Sequence, residues 1–342
     1  MTQSDERAAP TLEEVARVAG VSRSTVSRVI NDMPGVSKRA KEAVTEAIAT
    51  LRYVPNQAAR SLVTRRTNSI ALVVSEQGDR VFGDPFFAGV LRGVSAGMTG
   101  GHRQLVLMMG RTDVDDSVAN YLCGGHVDGA VVVSLHGHDP LPKRLVEAGL
   151  PVVVVGRPLG DVVVPYVDSD NMSGSLQAAR HLVEIGRKRI ATIAGPEDMA
   201  VGIDRLVGWR RGMAEAGMKT DLVVHSDFTG AGGAAAMAEL LERDPTIDGV
   251  FAAADIIAVG ALRALAESGR RVPEDVAVVG HDDSILATTT TPALTTVRQS
   301  VEELGRSATW RLQAQLEGEA HLPPSVLLPT ELVVRGSTQN RP

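Results

Sequence analysis

Two hydrophobic patterns divide the chain. Over residues 12–51 the apolar positions recur at helical spacing in three short stretches, whereas from Ile70 onward brief aliphatic runs alternate with longer amphipathic ones. In the first part, Thr11 followed by Glu14 forms a capping box, so a helix is expected to begin at Leu12, and Gly20 ends it. Ser22 caps a second helix from Arg23 to about Asn31, where Asn31-Asp32-Met33-Pro34-Gly35 forbids continuation. Val15, Ala16, Ala19, Val21, Val26 and Val29 have the spacing that lets these two helices cross on one apolar seam. Ser37 caps a third helix, whose Ala40, Val44, Ala47, Ile48 and Leu51 close the seam into a three-helix core. The arrangement predicted is a helix-turn-helix, with Arg23, Ser24, Ser27 and Arg28 turned outward on its second helix. After Tyr53-Val54-Pro55, Asn56 caps residues 57–62, a segment of under two turns that is too short to be a stable helix alone.

Beyond a polar, basic connector at residues 63–67, strands are predicted near residues 70–74, 105–109, 129–134, 152–155, 190–194, 222–224, 249–253 and 276–279, with helical patterns between most of them. Such alternation means parallel sheets covered on both faces. Eight strands and a C-terminal return exceed one comfortable sheet, so two lobes are expected, with ligands in the cleft at the carboxyl ends of the strands.

Composition narrows the class. The 342 residues are 44% hydrophobic but only 3% aromatic, which fits two or three aliphatic-cored globular units. The single cysteine, Cys123, cannot form an intrachain disulfide and reads as filler, in keeping with a reducing cytoplasm. The N-terminal residues lack the basic start and apolar stretch of a secretion signal, and no apolar run approaches the ~20 residues of a membrane span. The net charge of −6 hides an asymmetry: residues 1–67 hold 11 Lys+Arg against 7 Asp+Glu, a balance of +4, and the remainder holds 24 against 34, a balance of −10. A basic head on an acidic body is the electrostatic outline of a nucleic-acid module attached to something that does not bind phosphate.

An ordered string of segments then carries a resemblance. Thr11-Leu12-Glu13-Glu14-Val15-Ala16, Gly20-Val21-Ser22, Thr25-Val26-Ser27-Arg28-Val29-Ile30-Asn31, and Tyr53-Val54-Pro55-Asn56 with Ala59-Arg60-Ser61-Leu62 resemble the LacI/GalR (lactose-repressor) family. The likeness continues through Asp84-Pro85-Phe86-Phe87, residues 168–171, Ile193-Ala194-Gly195-Pro196, Arg205 with Gly208-Trp209, Asp255, residues 272–280 with Asp282-Asp283, and Leu294-Thr295-Thr296-Val297 with Gln299. It implies a small all-α helix-turn-helix headpiece (residues 10–55), a hinge helix and linker (56–67), and an α/β two-lobed periplasmic-binding-protein-like sensor with parallel sheets (68–338), which also dimerises.

The resemblance implies roles residue by residue. Arg23, Ser24 and Arg28 would read bases. Thr11, Ser22, Thr25, Ser27 and Asn31 would set the backbone contacts, and Asn56, Ala59 and Leu62 would belong to a hinge helix that folds on DNA, with Leu62 wedged into the minor groove. Arginine can pair bidentately with guanine, hydroxyls on phosphate fix register, and an apolar wedge kinks the duplex most cheaply at a pyrimidine–purine step. The effector pocket would be lined by Phe86, Arg205, Phe228, Asp255 and Asp282, with His136, which follows a strand, as a further candidate. Carboxylates and guanidinium suit sugar hydroxyls, and aromatic rings cover the apolar face of a pyranose.

The function implied is that of a cytoplasmic transcriptional repressor, a homodimer or dimer of dimers on a palindromic operator in double-stranded DNA, released by a small sugar and controlling carbohydrate-utilisation genes. Strings such as Ser134-Leu135-His136 and Asp139-Pro140-Leu141-Pro142 are similar to those of actinobacterial cellobiose and β-glucoside repressors, which favours cellobiose or a related β-glucoside. The opposite coupling, in which ligand strengthens DNA binding, is the alternative within regulation; a solute-binding or hydrolytic protein is the alternative outside it. Gly93-Val94-Ser95-Ala96-Gly97 mimics a nucleophile motif but sits inside a helical stretch rather than on an elbow. Residues 230–235 mimic a dinucleotide loop without the first strand it needs. Neither an enzyme nor a cofactor or metal site is expected.

Overall fold

The computed structural model describes residues 10–31, 33–54, 66–99, 103–111, 116–319 and 323–339, and the chain divides into two units, Met1–Thr67 and Asn68–Pro342. In the first unit, α1 (Leu12–Ala19) starts on the expected box: the Thr11 hydroxyl accepts from the Glu14 amide and the Glu14 carboxylate accepts from the Thr11 amide. Gly20 ends it at φ 64°, the left-handed conformation that makes the tight turn into the next helix and that a side chain would oppose. Ser22 caps α2 (Arg23–Ile30) and Ser37 caps α3 (Lys38–Leu51). Val15, Ala16, Val26, Val44 and Ala47 are the buried core, with Val21, Val29, Ile48 and Leu51 packed against it. Asn56, Ala59 and Leu62 lie outside the described residues.

The second unit holds two six-stranded sheets. The first runs in the order β11-β5-β4-β3-β1-β2, from β1 (Ser69–Val74), β2 (Gln104–Met109), β3 (Gly129–Val133), β4 (Val152–Val155), β5 (Tyr166–Ser169) and β11 (Ser325–Leu328), all parallel. The second runs β12-β10-β9-β8-β6-β7, from β6 (Ile190–Ala194), β7 (Val223–His225), β8 (Gly249–Ala252), β9 (Ala277–Asp282), β10 (Thr295–Arg298) and β12 (Glu331–Val333), with only β12 antiparallel. The central strands are buried along their whole length, as continuous aliphatic runs covered on both faces must be.

Helices cover each face. On the first sheet α5 (Pro85–Gly97) and α13 (Val301–Leu316) lie on one side, α6 (Asp116–Tyr121) and α7 (Leu141–Glu147) on the other. On the second sheet α8 (Asn171–Glu184) and α9 (Ala200–Glu215) face one way, α10 (Gly230–Arg243) and α11 (Asp255–Glu267) the other. The chain passes between lobes three times: from β5 to α8, from β10 to α13, and from β11 to β12. Three short helical segments remain among the described residues: α4 (Gly78–Gly83) after β1, a π-helical turn (Leu122–His126) that follows α6, and α12 (Ile285–Thr289) after β9.

Both glycine strings set aside in the sequence turn out to be helix contacts. A Cβ on Gly93 would overlap the Glu302 carbonyl of α13, so the absent side chain lets α5 and α13 touch backbone to backbone. A Cβ on Gly233 would likewise overlap the Ile257 carbonyl, where α10 meets α11. Ser95 is exposed in mid-helix, with no strand-to-helix elbow to serve a nucleophile.

Candidate functional sites

In the first unit the expected DNA-binding residues lie on α2 and at its ends. Arg23, Ser24 and Arg28 are exposed, while Thr25, Ser27 and Asn31 are half-buried and Val26 fills the core beneath them. Their hydroxyls cluster at the helix start, the Ser22 Oγ lying 2.8 Å from that of Ser24 and 2.9 Å from Thr25 Oγ1. That end of a helix presents free amides to an anion such as phosphate. Arg23 pairs with Glu13 at 3.2 Å, both side chains being largely in solvent, so the pair is worth little and is easily exchanged for another partner. Asn31 is turned back, its Nδ2 donating to the Ser27 carbonyl at 2.9 Å.

In the second unit a cavity opens between the lobes, built from residues just beyond the carboxyl ends of the strands. Phe86 and Phe87 form one wall, with ring centroids 5.4 Å apart in an edge-to-face pair. Phe228, from the loop after β7, faces them from the other lobe, and the Arg80 guanidinium stacks over it at 5.2 Å. Arg205 lies on the floor, 3% exposed; its Nε donates to Asn171 Oδ1 at 2.9 Å and its Nη1 lies 3.3 Å from Asp282 Oδ1. The Gln299 amide donates to the same Asp282 oxygen at 2.6 Å. Ser134, Phe228 and Asp282 hold positive φ angles of 62°, 59° and 122°, a strained backbone concentrated on the cavity wall.

Four of the six expected pocket residues therefore come together: Phe86, Arg205, Phe228 and Asp282. Two do not. Asp255 is fully buried behind the wall, where its carboxylate accepts from the Ser284 amide at 2.7 Å and the Thr296 hydroxyl at 2.5 Å, so its acceptors are spent on the scaffold. His136 does not line the cavity. Its ring nitrogens reach Glu76 Oε1 and, from the opposite lobe, Asp198 Oδ2, each at 2.9 Å. Arg157 makes a second bond between lobes, a forked pair with Asp204 at 2.8 and 3.2 Å.

Sequence reasoning missed Arg80, Asp168, Asn171 and Gln299 as cavity residues. Asp168, Asn171 and Gln299 stood in the family-like segments without a role. Arg80 sits on α4, too short for its periodicity to show. Among the described residues no group of His, Cys, Asp and Glu is placed to hold a metal ion, and no helix is long and apolar enough to cross a membrane.

Burial sets the protonation of the carboxylates. It pushes Asp84 up to about 6, helped by Asp282, and Asp168 up to about 6 against the amides that hydrogen-bond it. Asp255 is pushed up to about 8 by burial and by the Asp282 charge. Burial also opposes ionisation of Asp282, but Arg205, His281 and Gln299 outweigh it and hold the group below its ordinary value. A carboxyl raised on folding binds protons that the unfolded chain releases, so Asp84 and Asp168 remove stability as pH rises from about 4 to about 6. Buried His281, held neutral down to about 4, acts in the opposite sense over the same interval. The test is therefore comparative. The thermal midpoint of an Asp84→Asn, Asp168→Asn variant should rise relative to wild type across that interval, by the equivalent of roughly 2–3 kcal/mol per group at most. A constant difference between the two proteins would assign the shifts to other groups.

The comparisons with known proteins agree with this fold. The description of bacterial regulatory proteins of the lacI family matches residues 11–56, and that of a periplasmic binding protein-like domain matches residues 179–338. The HTH-type transcriptional regulator CelR of Thermobifida fusca is 51% identical over 338 residues, covering 97% of this chain and 99% of CelR. The ribose operon repressor of Halalkalibacterium halodurans is 34% identical over 333 residues, covering 96% and 97%. Among solved structures, a complex of CelR with cellobiose matches with a TM-score of 0.77 and 49% identity, over 96% of this chain and 99% of that one. The lac repressor dimer bound to operator and the anti-inducer ONPF matches with a TM-score of 0.87 and 26% identity, over 97% and 100%.

Proposed function

The chain belongs to the lacI family of bacterial regulatory proteins, and from that membership we propose that it is a cytoplasmic repressor of carbohydrate-utilisation genes, not an enzyme, whose effector is cellobiose or a related β-glucoside. The observation that carries the effector reading is the cavity wall. Arg205 and Asp282 offer paired donors and acceptors beneath three phenylalanine rings, which suits a neutral ring with hydroxyls at its rim and C–H bonds on its face. The relative solved with cellobiose shares about half of its residues with this chain, and that supports the choice of sugar.

On DNA, two copies engage a palindrome, as in the lac repressor dimer, and α2 of each enters the major groove. Residues 56–62 form the hinge, with Asn56, Ala59 and Leu62 on the duplex. The effector draws the two lobes into an arrangement that parts the hinges, and the complex dissociates.

An operator selected by the protein from a random duplex library tests this reading. Binding followed by fluorescence anisotropy should weaken steeply with salt, because basic residues on phosphate displace counterions. Cellobiose should weaken it further at fixed salt. Tighter binding on adding cellobiose would reverse the coupling, and failure to select any duplex at low salt would remove DNA from the function.

A further inference from the structure

Beyond the effector cavity, a buried histidine joins the two lobes. His136 follows β3 in the first lobe. Its Nε2 lies 2.9 Å from Oε1 of Glu76, in the loop after β1, and its Nδ1 lies 2.9 Å from Oδ2 of Asp198, in the loop after β6 of the second lobe. Beside it the Gly137 amide donates to the Asp198 carbonyl at 2.6 Å, so backbone and side chain cross the cleft together.

Both ring nitrogens face carboxylate oxygens. A neutral imidazole has a single N–H and would turn a lone pair toward one of the two carboxylates, whereas the imidazolium donates to both. Glu76 keeps other donors whichever form the ring takes, since the Ser134 hydroxyl and the Arg80 guanidinium bond the same Oε1. Asp198 is half-exposed and can exchange the ring for water, so the contact between lobes is the one that gives way when the proton leaves. Glu76 first, and Asp198 after it, hold His136 charged above its ordinary range against the opposing effect of burial. Arg80 stands nearby on α4, and Asp139, next in the same loop, is turned to the Leu141 amide and the Ser75 hydroxyl. Asp79, Arg111, Asp227, Glu239 and the Glu197-paired His225 surround the same recess, an excess of acids that favours the charged ring.

We propose that His136 is a proton-operated latch: its imidazolium ties the lobes together through Asp198, and loss of one proton releases them. Parting the lobes removes Asp198 and leaves Glu76, so the proton is bound more tightly in the latched arrangement. The latch is complete below the titration of the parted form and is lost as pH rises through that of the latched form. Arg157, whose fork on Asp204 also joins the lobes, stays protonated throughout and cannot respond in this way.

Hydrogen exchange of the Gly137 amide in the full-length protein tests the latch. It is followed between about pH 6 and about pH 9 as a protection factor, in which the intrinsic pH dependence of exchange cancels. Protection in wild type should fall about three- to tenfold as pH rises, the loss of one charge-assisted contact at a half-exposed site. Asp198→Asn keeps the shape and the carbonyl that accepts from Gly137 but removes the charge, so its protection should start lower and hardly vary with pH. The 15N shifts of the His136 ring in histidine-labelled protein should show both nitrogens protonated to a higher pH in wild type than in Asp198→Asn. Wild-type protection that does not change with pH, a pH dependence that survives in Asp198→Asn, or equal ring titrations in the two proteins would overturn the latch.

Discussion

Replacing Asp282 by asparagine should cut effector affinity at least tenfold while leaving operator affinity at the wild-type level. The carboxylate is the anionic acceptor facing the cavity beside Arg205, and a charge-assisted hydrogen bond is worth about 1.5–3 kcal/mol, or roughly 10- to 100-fold. Asparagine keeps the shape and can still meet Gln299, so the lobe should fold. Alanine should do more harm, because it removes the nearest anion from a guanidinium that is 3% exposed. A second readout is independent of sugar. Since the Asp282 charge helps to push Asp255 up to about 8, the asparagine variant should lower the Asp255 titration, which carboxyl NMR can follow. Normal induction by effector in the variant would take Asp282 out of the site.

Arg23→Ala should weaken binding to the cognate operator by about 5- to 100-fold and binding to random duplex far less. A bidentate arginine–guanine pair discriminates by about 1–3 kcal/mol, whereas a phosphate contact is felt equally by every sequence. The structure leaves Arg23 available for the task, paired among the described residues with solvent-exposed Glu13. Lys38 lies on α3 rather than α2 and pairs with Glu42 at 3.9 Å, so its alanine variant is the control that should affect both duplexes alike. Equal losses on both duplexes for Arg23→Ala would make it a backbone contact.

The headpiece was legible because its determinants are local. Thr11, Ser22 and Ser37 each cap a helix from within three residues, and one stripe of small aliphatics makes the core. Most of the strands found from sequence were those buried on both faces, such as β3, β4 and β6, whose apolar runs are unbroken; the partly exposed edge strands β2 and β7 were found as well, from short aliphatic runs. Strands β5 and β10 escaped because Asp168 and Arg298 interrupt them where they approach the cleft, and β11 and β12 because short edge strands are half-exposed. The cleft was legible in residue type but not in aim. Both Asp255 and Asp282 were expected in the pocket, and it is the path of the loops that turns one carboxylate to the cavity and the other to Thr296. The positive φ angles at Ser134, Phe228 and Asp282 leave no mark in the local sequence, which has glycine at none of the three positions.

The threefold passage between lobes also governs the order in which the protein can be made. The first sheet begins at Ser69 but is completed by β11, and its α5 face is covered by α13, both of which follow most of the second lobe in the chain. On the ribosome the headpiece, with its core closed by Tyr53, can fold as soon as it emerges. The first lobe must wait, with an apolar sheet face uncovered, until almost the entire chain has been synthesised, because its closing contacts span long stretches of sequence. Early termination therefore costs both lobes at once. A nascent chain cut before residue 325 would carry a finished DNA-reading unit and no finished sensor.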